Sequence, residues 1–125
     1  MKYSVEFLRA YLETALFQSI HQGRTIDEEY DINNFSIKAM QQARKDCTKF
    51  ILDNADTLGN LNLGDKRYSA HTVAGSLFWT SRHYNDGGFI ADRLGEAGEA
   101  LHDSARTFTP LRVVPIGKHL EFIER

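Results

Sequence analysis

The residues best equipped for chemistry lie between Phe78 and Arg93, where Trp79, Arg82, His83, Asp86, Phe89, Asp92 and Arg93 gather around Gly87-Gly88. Tryptophan and arginine are the side chains that most often dominate protein interfaces. On a strand pair closed by a glycine turn they would stand at a fixed tip, so this segment is the candidate binding surface. The bland alternative is that Phe78 and Trp79 face opposite sides of a sheet, one of them packs inward, and the glycines only make the turn. Two further chemistries use the same residues. A small enzyme would assemble Arg82, His83, Asp86 and Asp92, whereas a single-strand nucleic-acid binder would stack bases on Trp79, Tyr84 and Phe89 and meet phosphates with Arg82 and Arg93. No catalytic residue is assigned.

Other candidates carry less. The histidines His21, His71, His83, His102 and His119 fall on five separate predicted elements, with no i, i+4 partner and no cysteine pair, so no metal ligand set is assigned. Cys47 lies on the apolar stripe of a predicted helix, where a free cysteine behaves as a small buried hydrophobe. No nucleophile elbow, phosphate loop or dinucleotide fingerprint is present, and Gly87-Gly88 opens no helix, so no cofactor is expected. Glu96 and Glu99, and the run Asp27, Glu28, Glu29 and Asp31, read as solvated charge; the run is also a surface for docking against a basic patch.

The elements that position these residues follow from periodicity. Val5, Leu8, Tyr11, Leu12, Ala15, Leu16 and Ile20 recur at three and four behind the cap Ser4, which predicts a first helix closed by Gly23. A second helix starts after Ser36, carries Ile37, Met40, Ala43, Cys47, Phe50, Ile51 and Ala55, and finishes near 58–60. Residues 59–66 read as a loop, and 65–74 as a short helix capped by Asp65. The texture then changes: Leu77-Phe78-Trp79-Thr80 predicts a strand over 76–83, turned at 85–88 into a returning strand at 89–91. Residues 95–108 predict a helix weakened by Gly98 and stopped by Thr109-Pro110. Leu111–Ile116 and His119–Ile123 predict a second hairpin, with Pro115 confined to an edge. The expected fold is one α+β domain over 1–125 in the order ααββαββ, three helices packed on a small antiparallel sheet made of two hairpins.

Bulk composition narrows the function classes. With 125 residues, 42% hydrophobic and 26% charged, the chain has the makings of a folded domain. Fifteen basic residues against seventeen acidic give a net charge of −2 without a basic block, which disfavours binding to nucleic-acid phosphates. A single cysteine suits a reducing compartment. No apolar leader segment or membrane-length run is present, so a cytoplasmic location and no membrane partner are expected. Nothing in the sequence specifies an oligomeric state.

The run Phe78-Trp79-Thr80-Ser81-Arg82 … Gly88-Phe89 … Asp92-Arg93 resembles a signature of an uncharacterised family of small bacteriophage proteins. Similar counterparts extend to Leu8–Leu16, to the second helix with Asp46-Cys47, and to Leu94–Ala105. Two positions depart from the pattern: Asn85 stands where the family commonly has histidine, and Ile90 where it has a second aromatic. The resemblance implies a phage origin and expression in a bacterial host, and no reaction. The expectation is therefore a non-enzymatic phage accessory protein in the host cytoplasm, binding and modulating or inhibiting a host protein; a virion component is a weaker alternative.

Overall fold

The Ser4 hydroxyl accepts from the Phe7 amide and starts α1 (Val5–Gln18), which buries a broad arc containing Phe7, Leu8, Tyr11, Leu12, Ala15 and Leu16. The helix stops at Ser19, short of Gly23. Gln22 and Gly23, both at positive φ, instead turn the chain between two-residue strands β1 (Ile20–His21) and β2 (Arg24–Thr25). Two single 3-10 turns follow, Ile26–Glu28 and Ile32–Asn34, the second capped by Asp31. Ser36 then caps α2 (Ile37–Asp53), and α3 (Ala55–Gly59) continues after a break at Asn54. This computed structural model describes residues 1–91 and 93–125.

The largest departure from expectation comes next. Asp65 accepts from the Arg67 and Tyr68 amides in a turn and caps no helix. Ser69 is the cap, and α4 runs from Ala70 to His83 in one piece. The strand predicted over 76–83, its hairpin partner at 89–91 and the order ααββαββ are therefore corrected. The described residues form an α+β fold with five helices and two separate two-stranded sheets. After α5 (Gly95–Arg106), β3 (Leu111–Ile116) and β4 (His119–Glu124) form the expected hairpin across Gly117-Lys118, with Leu111 opposite Glu124 and Ile116 opposite His119. Pro115 lies on a strand with a single neighbour, as its missing N–H requires.

The core is aromatic. Phe50 stacks on Phe78 with centroids 4.2 Å apart, and Phe7, Phe89 and Phe108 close around the pair. Helices α1 and α4 lie side by side in the same direction, linked from Ser4 and His71 to Gln18 and Thr80. Gly75 makes their approach close: a Cβ there would overlap the Phe7 carbonyl oxygen and come within 2.9 Å of its carbonyl carbon. Alanine at an unconstrained helix position gains ~1 kcal/mol over glycine, but overpacking rigid backbone costs ~1–3 kcal/mol. Gly75→Ala is expected to lose up to about 2 kcal/mol, read from its urea midpoint. A stabilised variant would show that the two helices separate freely.

Candidate functional site

Phe78, Trp79, Arg82, His83 and Phe89 belong to the interior. Because 76–83 is helical, Trp79 and Arg82 point with Phe78 into the interior, and Phe89 is also fully buried. These positions do not form an exposed tip. Trp79 meets Tyr11 edge to face at 5.3 Å and lies on His83 with centroids 3.8 Å apart. Gly88 carries positive φ and sits so close to the Leu77 carbonyl and the Ser81 amide that no side chain fits. The next amide, that of Phe89, donates to Ser81 Oγ, which also meets His102 Nδ1 at 3.0 Å. Gly98 likewise admits the Phe89 carbonyl, so it positions the turn against α5 instead of merely weakening that helix.

Arg82 is only 2% exposed and every arm is engaged. Its Nη1 donates to Asp46 at 2.8 Å and to the Tyr11 hydroxyl at 2.9 Å, while Nε and Nη2 donate to the Thr109 carbonyl. Its plane lies over the Phe108 ring at 5.3 Å. This is the one buried ion pair among the described residues. Burial pushes the Tyr11 phenol far above its ordinary pKa, with Arg82 pulling the other way. Burial also raises the Cys47 thiol well above its usual value, and Asp46 adds to the rise. Cys47 is thus a protonated, sealed side chain, the opposite of an activated nucleophile.

His83 Nε2 accepts from the Leu111 amide at 3.0 Å. A backbone N–H can only donate, so the ring proton is on Nδ1 and goes to the Trp79 carbonyl 2.8 Å away. Burial lowers its pKa from 6.5 to about 4; the Trp79 carbonyl opposes the shift, and Arg82, Arg125 and Arg106 reinforce it. The enzyme arrangement therefore loses its parts: Arg82 and His83 are spent on backbone and core partners, and Asp86 is exposed beyond the helix end. Asp92 lies outside the described residues. The stacking platform for bases fails similarly, since Trp79 and Phe89 are buried and only Tyr84 keeps a free face. Arg93, exposed and at positive φ, shapes the turn into α5.

What the surface does offer is elsewhere, around Phe17. This side chain in the last turn of α1 is 65% exposed. On one side of it, a groove of about 430 Å³ runs between α1 and α4, floored by Ala10, Val73 and Leu77 and ending at Tyr68. On the other, a groove of about 370 Å³ lies between α1 and the 3-10 turns, floored by Leu16, Tyr30 and Ile32 and rimmed by Glu13, Asp27 and Asp31. Sequence reasoning missed this site because Phe17 lies off the apolar stripe of α1; an aromatic on the polar side of an amphipathic helix was the available signal.

Among the described residues, no group of three or more histidine, cysteine or carboxylate side chains gathers as a metal site, and no helix is long and apolar enough to cross a membrane. Compared with protein-family models, with curated proteins and with solved structures, the chain matches none.

Proposed function

We propose that the chain is a non-enzymatic phage accessory protein that binds a host protein in the host cytoplasm and modulates or inhibits it, through the face of α1 centred on Phe17. One observation carries the choice of face: a large aromatic side chain is held in solvent between two apolar-floored grooves. Exposing it there costs the fold hydrophobic burial and returns nothing to the core. The likeness of residues 78–93 to phage proteins supports the origin and the host setting. The non-enzymatic character is supported by the engagement of Arg82, His83 and Cys47 in the interior, away from both grooves.

The test is capture from bacterial host lysate with the tagged chain, comparing Phe17→Ser and Tyr68→Ser with Leu52→Ser, an exposed apolar residue on α2. The wild type and Leu52→Ser are expected to retain the same specific protein, and Phe17→Ser to lose it. Phe17→Ser should unfold within ~0.5 kcal/mol of the wild type, as surface changes do. Undiminished capture by Phe17→Ser, or no specific capture by the wild type, would sink the proposal.

A further inference from the structure

Resting on the reading that the Phe17 face is the contact, the chemistry of its rim specifies what it contacts. We infer that this face receives a basic amphipathic segment of the partner, apolar side chains seated against Phe17 and lysine or arginine side chains set on Glu13, Asp27 and Asp31. No basic side chain lines the groove between α1 and the 3-10 turns. Its three rim carboxylates have no cationic partner among the described residues. Asp27 takes only the Thr25 hydroxyl, and Asp31 caps the Asn33 amide, so both are oriented and still carry free oxygens. Glu13 lines both grooves and stands one helical turn before Phe17, which places the acid rim and the aromatic ridge on a single strip of α1.

The opposite groove carries little charge. Arg67 lies over the Tyr68 ring at 5.5 Å, and Glu13 is the sole charged residue lining the α1–α4 groove. Negative charge is therefore concentrated on one flank: a cationic stripe on the partner meets carboxylates there and a largely uncharged apolar floor on the other. Complementary charge arranged in this way sets orientation and speeds encounter. The same carboxylates repel anionic lipid headgroups and nucleic-acid phosphates, which leaves a protein segment as the occupant.

The probe is a synthetic leucine/lysine helical peptide, compared with a leucine/glutamate peptide of identical apolar spacing, titrated into the isotope-labelled full chain. The lysine peptide is expected to shift the amide resonances of Glu13, Phe17, Tyr30 and Ile32, and the glutamate peptide to leave them in place. Combining Glu13→Gln, Asp27→Asn and Asp31→Asn, which keeps the cap, should weaken the lysine peptide about tenfold and flatten its salt dependence. Equal binding of both peptides, or shifts on another face, overturns the inference. In the lysate experiment, full capture by the triple variant with none by Phe17→Ser would remove the basic partner and leave the docking face standing. Full capture by Phe17→Ser would remove both.

Discussion

Arg82→Ala is expected to lower the unfolding free energy by about 3–5 kcal/mol, the cost of leaving a buried ion pair with one partner missing. The substitution strands Asp46, whose side chain is 16% exposed, and removes the donors from the Tyr11 hydroxyl and the Thr109 carbonyl at once. Arg82→Lys should recover only part of the loss, because an ammonium cannot span the Asp46 carboxylate and the Thr109 carbonyl with one planar fork. Asp46→Asn keeps an acceptor for Nη1 and should cost less than Arg82→Ala. Urea unfolding at neutral pH measures all three. A loss below ~1 kcal/mol for Arg82→Ala would mean that water reaches the vacated site and satisfies the network's remaining members. An Arg82 or Trp79 variant that fails to bind a partner therefore reports unfolding, whereas a change at the exposed Phe17 tests the proposed contact without disturbing the core.

The misreading of residues 76–83 has a definite physical origin. The inward positions of α4 are Ala74 and Gly75, then Phe78 and Trp79, then Ser81, Arg82 and His83. That is a helical period of about four residues, but its last group is polar and its first is small, so only the aromatic centre reads as hydrophobic. A short aromatic run with a glycine turn behind it imitates a hairpin locally. What decides for helix is tertiary: Asp46, Tyr11 and the Thr109 carbonyl accept the buried guanidinium, and the Leu111 amide occupies the imidazole. None of these partners is near in sequence.

Where local chemistry and burial agree, the fold is legible. Ser4 and Ser36 cap the helices they precede, the stripe through Ala43, Cys47, Phe50 and Ile51 is buried, and Gly117 turns the terminal hairpin at positive φ. Gly23 illustrates the middle case, since its positive φ follows from its lack of a Cβ, yet whether it closes a helix or a two-residue turn depends on Ser19 ending α1 early. The candidate site was the least legible part. Trp79, Arg82, His83 and Phe89 are reactive or interface-forming types by composition, and burial converts them into scaffold; Asp86 and Arg93 remain at the surface without converging on a groove with them.

Acid is expected to destabilise the protein through His83, by about 3 kcal/mol in total between neutral pH and pH 4. The folded-state pKa of about 4 lies below the ordinary 6.5, so the unfolded chain takes up the proton first. Above 6.5 both states hold a neutral ring and the group contributes no pH dependence. As pH falls from 6.5 toward 4 the unfolded state is progressively favoured, and below 4 the loss levels off. The structural reason is that Nε2 must stay unprotonated to accept the Leu111 amide that anchors the start of β3. Protonation would set two N–H groups face to face in a buried site, beside Arg82. Trp79 is the chain's single tryptophan and stacks on this imidazole, so its fluorescence should follow the ring's titration with a midpoint near 4. His83→Gln should remove that transition and flatten the stability profile between 6.5 and 4. A midpoint near 6.5 in the folded protein would show that solvent reaches the ring, and that the bond between His83 and the Leu111 amide does not hold the hairpin to α4.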